Sequence, residues 1–320
     1  MENIEQTITE FREYTQTHRS LLKNVYGFNG NEHIIYMNGG LGNQMFQFFF
    51  YTWLKNRVNA PVIIDDTYFF VENVHNGLEI ENLFGYKLVK LSEILPKPVF
   101  SDVLKRRMAN EAVAEQLYKV GYPISLICEY DNAPKFSGAV SWLSGYSLYN
   151  VKNRGMLYYH MYNLNGHYLR DLQKNGEFPI NPFPGELNEA NTKYAEQMRL
   201  TESVALHVRR GDFVTLGWAI EDTTYNQAVK MMNQEVADPV YFIFSDDLDY
   251  CKGHLPEFGL ENNEVVFVEG NVAPNNYRDL QLMTMCKHRI VNNSSFCYLA
   301  ALLRERDGRI LNMYPSRKVI

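Results

Sequence analysis

A short apolar run, His33 to Met37, is followed at once by a glycine turn, Gly39-Gly40-Leu41-Gly42-Asn43-Gln44. Met45 to Val58 is then long, aromatic and free of Gly and Pro, which suits a buried helix. Val62-Ile63-Ile64, closed by Asp65-Asp66, supplies the next strand. Strand, glycine turn, helix and strand in that order make a βαβ unit, which sets the two strands parallel and commits the chain to a covered α/β sheet. The second half repeats this logic: a strand over 203–208 runs into Arg209-Arg210-Gly211-Asp212, a helical pattern covers 223–235, and Val240 to Phe244 is a buried strand. A strand at 265–268, a helix over 277–286, a strand at 289–291 and a helix through Leu303 complete it. The expected fold class is therefore α/β, with two Rossmann-like domains facing each other across a cleft. The 320 residues suit two domains of that kind.

The expected division is a helical extension over 1–30, an N-terminal domain over 31–190 and a C-terminal domain over 191–320. Ile4, Ile8 and Phe11 recur at helical spacing, and Gly27 and Gly30 end the extension. The Pro/Asn/Gly-rich stretch Lys174–Asn191 is the candidate linker. A net charge of −6 excludes a general nucleic-acid binder, so the basic residues that matter must act locally. The four cysteines, Cys128, Cys251, Cys286 and Cys297, are scattered without zinc spacing, and they read as reduced thiols of a cytoplasmic protein. No apolar stretch is long enough to span a bilayer, and the start lacks a signal-peptide core. Peripheral contact with an inner membrane stays open.

The chemistry gathers at the carboxyl ends of the second-half strands, where open parallel sheets bind ligands. In His207-Val208-Arg209-Arg210-Gly211-Asp212, strand alternation puts His207 and Arg209 on one face and turns Arg210 the other way. A guanidinium fork bonds two phosphate oxygens at once. Asp246 follows a buried strand, where it can accept from a ribose hydroxyl or a base edge, or cap the next helix. Ser294 and Ser295 stand where a helix begins, so hydroxyls and free N–H groups can hold an anion there, although Ser294 also reads as an ordinary N-cap. Gly39-Gly40-Leu41-Gly42-Asn43 lets backbone approach a ligand closely, but Met45 stands where a dinucleotide fingerprint needs its third glycine. Neither a Walker loop, HExxH nor GxSxG occurs. Asp247-Leu248-Asp249 spells DxD, the metal-holding pair of many sugar-nucleotide transferases, and would duplicate a neutralising role that the arginines already fill.

With these residues assembled, the chain resembles the inverting α-1,2-fucosyltransferases of glycosyltransferase family 11. The matching segments are Gly39 to Gln47, His207 to Phe213, Phe244-Ser245-Asp246-Asp247, and Cys286-Lys287-His288 leading to Asn293-Ser294-Ser295-Phe296. The resemblance implies a GT-B-type fold and metal-independent transfer of L-fucose from GDP-β-L-fucose to the 2-hydroxyl of a terminal galactose, with no cofactor. It implies Arg209 at the β-phosphate with Arg210 assisting, His207 beside the nucleotide, and Ser245 and Asp246 near guanine or ribose. Ser294, Ser295 and Phe296 would take the pyrophosphate, and Gly40, Gly42 and Asn43 would face them across the cleft. Asp212 is either the base for the acceptor hydroxyl or the group that holds an arginine in place; Glu129, Glu221 and Asp222 are other carboxylates that could serve. After Phe296 the family usually continues Ser-Trp-Trp-Gly-Ala, whereas this chain reads Cys297-Tyr298-Leu299-Ala300-Ala301. A metal-dependent transferase using Asp247 and Asp249, and a non-catalytic glycan- or nucleotide-binding protein, are the competing readings.

Overall fold

The computed structural model describes residues 25–72, 76–129, 133–142, 155–162, 166–178, 182–272 and 274–312. Most of the helical extension expected over 1–30 lies outside them. The chain divides into two compact units between Asn175 and Gly176, near the start of the Pro/Asn/Gly-rich stretch rather than at its end. Each unit holds one five-stranded, wholly parallel sheet of Rossmann-like plan.

In the first unit the strands are β1 (His33–Tyr36), β2 (Val62–Asp65), β3 (Ile124–Cys128), β4 (Ala139–Trp142) and β5 (Met156–His160), in the order β2-β1-β5-β3-β4. Helix α1 (Leu41–Lys55) links β1 to β2 and is buried along nearly its whole length, with Phe46, Phe49 and Phe50 fully covered. That explains its unbroken aromatic run, since a helix hydrophobic all round belongs in a core. In the second unit β6 (Glu202–Val208), β7 (Pro239–Ser245), β8 (Glu264–Phe267), β9 (His288–Val291) and β10 (Ile310–Asn312) lie in the order β10-β9-β6-β7-β8. From β6 the chain steps outward to β7 and β8, then crosses back through α2 (Tyr277–Met285) to β9 on the other flank of β6. The strand order thus reverses between β6 and β9, the place where doubly wound sheets open a crevice.

β6 is covered on both faces, as a central parallel strand must be, and its continuous apolar run reflects this. Its interior side chains Val204 and Leu206 are fully buried in the core of the unit. Leu206→Ala is accordingly expected to cost ~2–5 kcal/mol of unfolding free energy. Leu200→Ala, at a side chain 86% exposed, should stay within about 0.5 kcal/mol of the parent. Paired urea titrations of the two variants measure the contrast.

Candidate active site

Three strand ends build the site. β6 pairs with β7 through Val208 and Ser245, and on its other side with β9 through Leu206 and Ile290. The chain leaving each strand therefore emerges at one edge: Arg209 and Arg210 from β6, Asp246 from β7, Asn292 to Ser294 from β9.

Arg209 stands between two carboxylates, with Nη1 2.8 Å from Asp246 Oδ2 and Nη2 2.7 Å from Asp212 Oδ1. The other oxygen of Asp246 accepts the Arg210 backbone N–H at 2.8 Å. One carboxylate thus fixes both the backbone and the guanidinium of the turn. The absence of a side chain at Gly211 makes this approach feasible, because a Cβ there would come within 2.5 Å of Asp246 Oδ2. Ser245 donates its hydroxyl proton to Val208 O at 2.7 Å and accepts the Asp247 N–H at 3.0 Å. Arg210 is turned away from this cluster, as strand alternation requires. Its guanidinium lies 3.7 Å from the ring centroid of Tyr250, whose hydroxyl meets both oxygens of Asp222 at 2.9 Å.

On the other flank, α3 (Ser295–Leu302) begins at Ser294, whose hydroxyl accepts the Phe296 N–H at 3.3 Å. Ser294 is both the cap and a member of the site. The Phe296 ring lies 5.9 Å from that of His207, so the helix start and the end of β6 are neighbours. Burial, reinforced by the nearby Arg209 charge, pulls the His207 imidazole down to about 4 and keeps it neutral. The motif region missed Asn292, which is buried and joins β9 to β6 by donating to His207 O at 2.8 Å. Its signal was a second Asn directly after a buried strand, hidden beside the more conspicuous serines. Tyr250 was missed as well, because a lone tyrosine carries no motif.

The structure brings His207, Arg209, Asp212, Ser245, Asp246, Ser294, Ser295 and Phe296 to one edge of the second unit. Gly40, Gly42 and Asn43 belong to the first unit, where they follow β1 at the reversal between β1 and β5. Gly39 has φ +76, and a Cβ on it would meet Asn43 Nδ2 at 2.5 Å, so the glycine turn is demanded by its own asparagine. Asn38 N–H donates to Gln47 Oε1 at 3.0 Å, and Gln47 returns a bond to Asn38 Oδ1 at 2.8 Å. The DxD carboxylates do not converge: Asp247 caps a short helix by accepting the Tyr250 N–H at 3.1 Å, whereas the Asp249 side chain is 98% exposed, 3.8 Å from Lys252. Among the other carboxylates, Asp222 is engaged by Tyr250 and Glu221 is exposed at the start of the helix over 222–235.

The model of glycosyl transferase family 11 matches residues 155–316, just over half of the chain. The chain belongs to glycosyltransferase family 11. Among its relatives is an alpha-1,2-colitosyltransferase of Escherichia coli, 31% identical over 130 residues, which are 39% of this chain and 44% of that protein. The O-antigen biosynthesis glycosyltransferase WbnK of Escherichia coli is 24% identical over 86% of this chain and 91% of its own length. Galactoside alpha-(1,2)-fucosyltransferase 2 of Oryctolagus cuniculus is 28% identical over 35% of this chain and 33% of its own length. The match thus spans less than half of the first and third of these relatives. Among solved structures, the fucosyltransferase NodZ from Bradyrhizobium aligns with a TM-score of 0.44 and 12% identity over 87% of this chain and 93% of that one. No helix among the described residues of this family 11 chain is long and apolar enough to cross a membrane.

Two outcomes are expected from the site as built. Gly211→Ala should force Asp246 from the Arg210 amide, lowering unfolding free energy by about 1–3 kcal/mol and removing protection of that amide in hydrogen exchange. For His207 the folded pKa lies below the unfolded value, so the unfolded chain takes up a proton first as pH falls. Its contribution to stability is complete above about pH 6.5 and is lost on descending to about pH 4. His33 and His160 are held down in the same way by burial. His207→Gln should therefore shed about one proton, not all, of the stability slope across that window, read by urea unfolding at stepped pH.

Proposed function

We propose that the chain transfers L-fucose from GDP-β-L-fucose to the 2-hydroxyl of a terminal galactose, inverting the anomeric centre and using no metal or cofactor. The observation that carries the reading is the placement of Arg209: a guanidinium clamped by Asp212 and Asp246, one strand away from the helix start at Ser294. The family membership supports glycosyl transfer, and relatives named for alpha-1,2 transfer, one of them a galactoside fucosyltransferase, support the linkage and the sugar.

In the reaction the acceptor O2 attacks the fucose anomeric carbon from the face opposite the diphosphate. The C1–O bond to the β-phosphate breaks, its electron pair leaves with GDP, and the hydroxyl proton passes to a carboxylate. The largest demand is stabilisation of the departing anion. Arg209 keeps further N–H donors beyond the two used on Asp212 and Asp246. Those donors, with the hydroxyls of Ser294 and Ser295 at the start of α3 beside Phe296, meet the diphosphate. His207, Ser245 and Asp246 border the nucleotide. Arg210 acts by holding the turn against Tyr250 and adding positive potential. Asp212 holds the Arg209 fork. The diverging side chains of Asp247 and Asp249 do not favour a metal-holding pair. Working on a nucleotide-activated sugar, the enzyme fits the cytoplasm, with any membrane contact peripheral.

GDP is expected to raise the melting temperature, whereas UDP and NAD leave it unchanged. GDP-fucose with a β-galactoside acceptor should yield an α-1,2-linked product in the presence of a chelator. Arg209→Ala should lose transfer by at least a hundredfold, on the scale of removing one transition-state donor, with its circular dichroism unchanged. Near-normal turnover in that variant would refute the assignment.

A further inference from the structure

Asn292 is fully buried where β9 leaves the sheet, and backbone groups fix which way its amide points. Its Oδ1 accepts the Ser294 backbone N–H at 2.9 Å, and its Nδ2 donates to the His207 backbone carbonyl at 2.8 Å. A backbone N–H only donates and a carbonyl only accepts, so the amide has one allowed orientation. The Cys297 sulfur lies 2.8 Å from Oδ1 and 3.3 Å from the Ser294 carbonyl. Burial pushes that thiol up to about 12, so it keeps its proton. Oδ1 is thus engaged by the Ser294 amide and packed against the thiol.

The His207 ring faces this amide with Nδ1, 3.2 Å from Nδ2 and 3.5 Å from Oδ1. A proton on Nδ1 would point at the Nδ2 donor, the nearer of the two amide atoms, whereas a bare Nδ1 accepts from it. We propose that Asn292 is a positioning residue that fixes the proton of His207 on Nε2, so that the ring offers a neutral N–H donor on the face of β6 shared with Arg209. Nε2 meets no acceptor among the described residues, which leaves that proton for a ligand. The charged groups facing the ring are Arg209, which opposes protonation, and Asp246, which favours it. Tyr225 and Cys297 touch it only through Asn292. That the ligand is the nucleotide-diphosphate donor rests on the proposed function; the tautomer does not.

The test is a long-range proton–nitrogen spectrum of the full chain labelled with 15N-histidine, with His207→Gln assigning the signal. At pH 7.5 the wild-type ring should show a bare Nδ1 and a protonated Nε2. Asn292→Asp puts an oxygen in place of the Nδ2 donor, so Nδ1 should become protonated. The KM for GDP-fucose should then rise at least tenfold, with a smaller change in kcat. A protonated Nδ1 in the wild type, or an unchanged pattern in folded Asn292→Asp, overturns the proposal. Should that variant fail to fold, the wild-type spectrum decides alone. Melting of the wild type with GDP separately tests the donor reading: no rise would sink that reading and leave the tautomer result standing.

Discussion

The end of β6 is where the structure is most constrained, because three parallel strands part there and backbone groups lose their ladder partners. Such groups, when buried, must be paired by something else. Here side chains take over from the ladder. Ser245 satisfies the Val208 carbonyl, Asp246 the Arg210 N–H, and Asn292 the His207 carbonyl. Each comes from the strand adjacent to the one it serves. The site residues are therefore also the braces of the edge where the crevice opens.

The same arrangement sorts charge by exposure. Neutral amides and hydroxyls occupy the buried positions, where an unpaired charge would be most costly. The ions sit further out: the side chains of Arg209, Asp246 and Asp212 are 29%, 27% and 43% exposed. Partly solvated, this triad contributes little to stability, but it holds a planar fork in one orientation before any ligand arrives. A preset fork loses less freedom on binding than a free one. Gly211 belongs to this design, since any larger residue would intrude on Asp246.

Much of this was legible in the sequence, for physical reasons. The βαβ order at 33–65 and the strand–helix alternation from 203 to 303 were readable because buried parallel strands and covered helices carry strong apolar periods. His207 and Arg209 on one face, with Arg210 opposed, followed from strand alternation alone. The segment from about 75 to 200 did not parse: helices at Lys97–Met108 and Glu189–Leu200 bury only three side chains each, and the exposed strand β4 has no buried face to mark it. The divide between the units also falls earlier than composition suggested, after Asn175, because the Pro-rich stretch runs with the second unit. Asn292 and Tyr250 escaped notice because their importance lies in contacts across strands, which residue type does not encode.

The two units solve the same problem with the same chemistry. At the reversal beside β1, Gln44 donates to the carbonyls of Gly39 and Gly77, and Gln47 exchanges bonds with Asn38. Both glutamines are fully buried in α1. At the reversal beside β6, Asn292 does the corresponding work. A side-chain amide suits this position because it donates and accepts at once, carries no charge to desolvate, and can therefore be buried beneath a loop at the strand ends. The Gln44-x-x-Gln47 spacing places both amides on one side of the helix, one turn apart, so the glycine loop is held from below. In each half a buried side-chain amide thus fixes the backbone at the carboxyl end of the central strands.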